Sequence, residues 1–206
     1  MKILMDMMGG DNAPLAPMQG AADAVKAYGV EIVALGDEAL LRQTAEEHHI
    51  PLDGFAFVNC SEKIEMCDEP AQAVRRKKDS SLVVGLSMLR DGGGDAVVSA
   101  GSAGALQGGT SLIVRTLAGV KRPALATIVP AQKEPYLLLD CGANAECRPD
   151  MLAAFGVLGS CYAEKILGKK SPSVALINNG TEETKGTPML KEAHQHLMVV
   201  RGEHPE

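Results

Sequence analysis

The stretch Tyr136-Leu137-Leu138-Leu139-Asp140-Cys141-Gly142-Ala143-Asn144-Ala145-Glu146-Cys147-Arg148-Pro149-Asp150 decides the fold of this 206-residue chain. Tyr136 to Leu139 is a short, unbroken apolar run, the pattern of a strand buried on both faces. Asp140, Gly142 and Asn144 break it at once, and these residues tolerate tight turns and leave backbone N–H groups accessible. Pro149 and Asp150 then open a helical pattern that runs through Met151, Leu152, Phe155, Leu158, Gly159, Tyr162 and Ile166. Open α/β sheets build ligand sites from this succession of strand, small polar loop and helix, at the carboxyl ends of their strands.

The same unit recurs outward from this stretch. Residues 2–7 predict a strand, followed by Met8-Gly9-Gly10-Asp11-Asn12-Ala13-Pro14 and an alanine-rich helix near 16–28. Residues 31–35 predict a strand, Gly36-Asp37 turns into a helix ending before Pro51, and 55–59 is strand-like. A short helix is expected over 69–78, and Asp79-Ser80-Ser81 supplies N-cap candidates for another over 80–91. Gly92-Gly93-Gly94 breaks that helix ahead of a strand at 95–99, and Ala100-Gly101-Ser102-Ala103-Gly104 leads into a helix through about 117. Strands at 124–129 and 136–139 flank Lys133-Glu134-Pro135, which reads as a hairpin turn. A strand at 173–178 precedes a helix over 187–198. Such alternation means an α/β fold with a doubly wound, mostly parallel sheet, without repeat, linker or low-complexity segment.

Composition sets the class. Hydrophobic residues make up 46% but aromatics only 3% and Trp is absent, so the core must be aliphatic. A net charge of −6 and a pI near 5.4 argue against nucleic acid as the principal partner. No apolar run approaches the ~20 residues that span a bilayer. The N-terminus meets a charge at Asp6, too early for a secretory segment, and reads as the first strand of a cytoplasmic protein. The cysteines, Cys60, Cys67, Cys141, Cys147 and Cys161, are odd in number and form no Cys-x-x-Cys pair, the pattern of reduced small hydrophobes. His48, His49, His194, His196 and His204 form no metal spacing and no triad, so no metal and no cofactor is expected.

Four loops follow the expected strands, at 8–14, 99–104, 140–148 and 178–186. Each is rich in Gly, Asn, Ser or Thr and precedes a helix, so together they suggest one phosphate or carboxylate site. An ordinary strand–helix turn is the alternative for any one of them. No nucleotide motif is present: there is no Gly-x-x-x-x-Gly-Lys-Ser/Thr, and Gly101-Ser102-Ala103-Gly104 does not complete Gly-x-Gly-x-x-Gly.

Met7-Met8-Gly9-Gly10-Asp11-Asn12-Ala13-Pro14 resembles the opening of the bacterial phosphate acyltransferases of phospholipid synthesis, the PlsX family. The resemblance continues through Asp68-Glu69-Pro70, Arg75-Arg76-Lys77-Lys78-Asp79-Ser80-Ser81, Ser99-Ala100-Gly101 and Arg122-Pro123-Ala124-Leu125. It resumes at Leu139-Asp140-Cys141-Gly142-Ala143-Asn144 and Asn179-Gly180-Thr181-Glu182-Glu183-Thr184-Lys185-Gly186. It implies a fold like isopropylmalate dehydrogenase and phosphotransacetylase, and the reaction of acyl carrier protein thioester with inorganic phosphate to give acyl phosphate. The implied partners are acyl carrier protein and phosphate, with no nucleic acid, and the implied state is a homodimer. Residues 1–198 read as the N-terminal part of such a domain and 199–206 as an unrecognised tail. Family members continue well beyond residue 206, so a truncated member is expected, with any peripheral membrane association belonging to the missing region. Ser102 and Ala103 stand where the family has Asn-Thr.

The chemistry needs positioning and fixed donors more than a protein nucleophile. Lys185 is the best single cation for phosphate, with a solvated helix-end lysine as its plain alternative. Asn144 is a candidate oxyanion donor or a turn former, and Asp11 and Asp140 candidate orienting or proton-accepting groups or caps. Gly9, Gly10, Ser99, Gly101, Ser102, Gly104, Gly142, Gly180 and Thr181 are expected to line the phosphate and substrate site. Glu182 and Glu183 read as surface acids suited to a helix start. Arg75, Arg76, Lys77 and Lys78 form the one dense basic run, either a helix terminus or a docking patch for acidic acyl carrier protein. Two further readings stay open: an inactive binding or assembly module, and a phosphotransacetylase-like enzyme using acyl-CoA.

Overall fold

Four strands, Lys2–Asp6 (β1), Glu31–Gly36 (β2), Phe55–Asn59 (β3) and Ala96–Ser99 (β4), run parallel in the order β3-β2-β1-β4. Parallel neighbours need crossovers, and helices Leu15–Tyr28 (α1) and Glu38–Glu47 (α2) supply the first two. Pro70–Arg76 (α3) and Ser81–Arg90 (α4) then carry the chain back past β1 to β4, so the winding reverses between β1 and β4. A computed structural model describes residues 1–182 and 184–203; Glu183 and His204 lie outside the described residues. The chain divides into two compact units, Met1–Thr116 and Leu117–Glu206.

In the first unit the two faces of the sheet are sorted by the period of two. Ile32 and Ala34, with Ile3, Met5, Phe55 and Phe57, pack with Met18 and Ala21 of α1 and Leu41 and Ala45 of α2. Leu4, Val33 and Leu35 face the other way, with Cys60 and with Val84, Met88 and Leu89 of α4. The helix lies close there: a Cβ on Gly85 would sit 2.7 Å from Cδ1 of the fully buried Leu35. Asp37 caps α2 by accepting from Leu40 N–H (3.1 Å), and Glu69 caps α3 through Ala71 and Gln72 N–H ahead of Pro70.

The N-cap expectation for α4 needs correcting. Ser80 occupies the position, yet its hydroxyl donates to the Lys77 carbonyl. Asp79 accepts from Ser61, and Ser81 donates to Asp6. Tertiary partners outcompete the local cap. The helix expected through 117 also ends early, as Ala103–Gly109 (α5) followed by a π-helical turn at Thr110–Val114. Thr110 and Ser111 hydroxyls donate to the carbonyls of Leu106 and Gln107, widening the turn, and Arg115 leaves it at φ 74.

In the second unit Ala126–Val129 (β5) and Tyr136–Leu139 (β6) pair antiparallel, with Lys133-Glu134-Pro135 in the connection. Pro149–Lys165 (α6) packs on β6 and on Pro188–Glu203 (α7). Two expectations fail here. β6 is not buried on both faces: Tyr136 is 49% exposed and Leu137, Leu138 and Leu139 are only half-buried, with α6 packed on the strand. No ladder forms at 173–178, where Ile177 is 76% exposed, since no strand among the described residues pairs with it. The parallel sheet and the hairpin are therefore separate sheets. No helix among the described residues is long and apolar enough to cross a membrane.

Candidate active site

Parallel pairing sets Asp6 beside Ser99, each the last residue of its strand, at the point where the winding reverses. Ligands bind in such crevices at the carboxyl ends of strands. Asp6 is 4% exposed. Its Oδ1 accepts from Met8 N–H (3.1 Å) and the Ser81 hydroxyl (2.6 Å), and its Oδ2 from the Ser99 hydroxyl (2.7 Å). Ser99 Oγ in turn accepts from Gly101 N–H (3.1 Å). Gly9 passes so closely that a Cβ there would lie 2.6 Å from Asp6 Oδ2 and 2.8 Å from Gly101 N. Only glycine lets the two loops cross.

This knot leaves donors in both loops. Among the described residues the N–H groups of Gly9, Gly10, Ser102 and Ala103 have no acceptor. The Ser102 hydroxyl caps α5, accepting from Ala105 N–H at 3.3 Å, and Gly104 lies against Pro70. Asp11 is exposed and makes no hydrogen bond among the described residues. Asp6 was not among the residues singled out from sequence. Its signal was present, because period two sets it on the face of fully buried Leu4, where a carboxylate demands partners.

In the second unit Asp140 closes the turn after β6. Its Oδ1 accepts from Leu125 N–H (2.7 Å) and Ala143 N–H (3.3 Å), and its Oδ2 from Asn144 N–H (2.7 Å) and Nδ2 (3.2 Å). Burial pushes this carboxyl up, but the N–H groups of Leu125, Asn144 and Ala143 and the Asn144 amide outweigh it and hold it below the usual carboxylate range. Asn144, 9% exposed, spends its Nδ2 hydrogens on Pro123 O (3.0 Å) and Asp140, leaving its buried Oδ1 without a partner among the described residues. Gly142 turns at φ 96 within this loop. Gly180 and Thr181 stand in the loop before α7, where Lys185 is exposed and its stem lies over Gly180. Among the described residues Lys185 has no ion-pair partner.

At the start of α6, Lys121 (2.6 Å) and Arg148 (3.2 Å) pair with Asp150, and hydrogen bonds from these two hold its carboxyl at about 2. In the basic run Arg75, Arg76 and Lys78 are exposed, whereas Lys77 Nζ binds Asp68 (2.5 Å) and Lys63 O (3.0 Å). Lys77 is thereby tied to the segment ahead of α3. All five cysteines are free thiols. Burial, helped by the Asp79 charge, pushes Cys60 up to about 11, and burial with the Asp140 charge raises Cys147, so both are poor nucleophiles.

A family model described as "Fatty acid synthesis protein" matches residues 1–203. A phosphate acyltransferase from Alkaliphilus oremlandii is 45% identical over 195 residues, covering 95% of this chain and 58% of its own length. One from Caldicellulosiruptor bescii is 46% identical over 202 residues, covering 98% and 60%. The chain thus spans less than two thirds of the length of these relatives. EutD phosphotransacetylase from Staphylococcus aureus superimposes with a TM-score of 0.74 at 21% identity, over 98% of this chain and 64% of that one. A phosphotransacetylase from Streptococcus pyogenes gives 0.76 at 17%, over 100% and 66%. At such identities the likeness establishes the α/β fold.

Proposed function

Since the chain belongs to the phosphate acyltransferase (PlsX) family, we propose that it moves an acyl group from acyl carrier protein to inorganic phosphate in phospholipid synthesis. A phosphate oxygen attacks the thioester carbonyl, the C–O bond forms as the C–S bond breaks, and the proton leaving phosphate goes to the carrier thiolate. The observation that carries this reading is the set of unpaired N–H groups on Gly9, Gly10, Ser102 and Ala103 at the sheet's switch point. Fixed backbone donors of that kind suit an oxyanion or a phosphate without reorganisation.

In this reading Gly9, Gly10, Ser99, Gly101, Ser102, Gly104, Gly142, Gly180 and Thr181 shape the substrate loops of residues 1–198, and Lys185 supplies the cation. Asp140 suits an orienting role, because four donors already converge on it. Asn144 serves as its partner in holding the turn, and Asp11 is the exposed acid free to take a proton. Arg75, Arg76 and Lys78 dock the acidic carrier, with Lys77 bracing the patch. The setting is cytoplasmic and the state a homodimer. Thiol release from acyl carrier protein thioester and from acyl-CoA, each with and without phosphate, tests the reading. Phosphate-dependent release from the carrier thioester supports it; preference for acyl-CoA makes the protein a phosphotransacetylase-like enzyme; no release with either leaves a binding or assembly module.

A further inference from the structure

Asp6 is a buried carboxylate that no cation accompanies among the described residues. Three hydrogens reach it, from Met8 N, Ser81 Oγ and Ser99 Oγ. A carboxylate is acceptor-only, so it is the one group of this size that satisfies three donors at once; an amide would turn N–H₂ against one of them. The consequence reaches Ser99. Its hydrogen is committed to Asp6, so its lone pairs face the loop and receive Gly101 N–H at 3.1 Å. The direction of the whole chain, Gly101 N–H to Ser99 O–H to Asp6, is fixed at the carboxylate end.

We propose that Asp6 is a positioning residue for phosphate: by locking the Ser99 hydroxyl and the Met8 amide it holds the loops after β1 and β4 against each other at Gly9 and Gly101, with the neighbouring N–H groups of Gly9, Gly10, Ser102 and Ala103 free for the anion. This rests on the reading that these loops receive phosphate. Asp6 itself does not touch the ligand. It acts through Ser99 and Met8, and its charge is spent on their donors before phosphate arrives.

The test is phosphate affinity, read without turnover, by titrating inorganic phosphate into the full 206-residue chain and following backbone amide shifts. In the unaltered chain Gly9, Gly10 and Ser102 shift saturably. In Asp6→Asn, Oδ1 must keep accepting from Met8 N–H, so the new amide faces Ser99 Oγ and reverses its hydroxyl. The phosphate Kd then rises roughly tenfold, the weight of about one hydrogen bond. Ser99→Ala breaks the same link from the less buried side and gives the same loss should Asp6→Asn fail to fold, while Ser99→Thr, which keeps the hydroxyl, restores affinity. A purely structural role lowers the melting temperature without moving Kd measured well below it. Unchanged Kd in both Asp6→Asn and Ser99→Ala overturns the inference and leaves the proposed function standing. Absence of any phosphate-dependent shift in the unaltered chain overturns both.

Discussion

Lys185 stands exposed between a glycine turn and the start of α7, with its stem across Gly180. On the proposed function, an ammonium there would offset the repulsion between phosphate and the polarised thioester as a point charge. Lys185→Ala should lower phosphate-dependent turnover by roughly ten- to a thousand-fold, the range for losing one charged or oxyanion donor. Its melting temperature should barely move, because an exposed lysine contributes little to folding. A mutant with normal turnover makes Lys185 structural. Asp140 allows a test by acid. Its folded carboxyl lies below the usual range, so it stabilises the fold above the ordinary carboxylate pKa near 4, and that stability is lost as pH falls through the lowered value. Asp150, held at about 2, acts in the same direction. Circular dichroism between pH 5 and 2 should show a shallower acid limb for Asp140→Asn than for the unaltered chain; identical limbs contradict the hydrogen-bond account.

Elements legible in the sequence were those with a local reason to exist. The strands expected at 31–35 and 55–59 and helices α1, α2 and α6 carry their own periodicity, breaks and turn residues, and they form at or within a residue or two of where the pattern puts them. The misses were decided by partners distant in sequence. Residues 173–178 have a strand's composition but no neighbour to pair with among the described residues, and Ser81 has a cap's chemistry but a buried carboxylate 75 residues away. The site divides likewise. Its glycine loops are legible because turns punctuate sequence, whereas Asp6, the last residue of an apolar strand, is marked only by sharing the buried face of Leu4. Packing follows from the same elements. Leu4→Ala, at the fully buried seam between β1 and α4, should cost about 2–5 kcal/mol of unfolding free energy in urea titrations. Ile128→Ala, exposed on β5, should stay within about 0.5 kcal/mol. Equal losses contradict this placement of the core.

Across the whole molecule the charge is −6, so attraction of the proposed acidic carrier protein would have to be local. Arg75, Arg76 and Lys78 are exposed at the end of α3, while Lys77 is engaged with Asp68. Reversing the charge of Arg75 and Arg76 should weaken carrier binding, with a loss that shrinks as salt rises, because exposed charges are screened over roughly 8 Å at physiological ionic strength. Unchanged affinity at low salt, measured by calorimetry, assigns the run to a solvated helix end. The proposal of acyl transfer to phosphate rests on the family, the parallel sheet and the donors at its switch point. The most direct measurement is ³¹P NMR of the chain incubated with acyl carrier protein thioester and inorganic phosphate. An acyl phosphate resonance growing in step with free carrier thiol is the expected result; thiol release without that resonance, or a phosphate signal that never changes, contradicts the account.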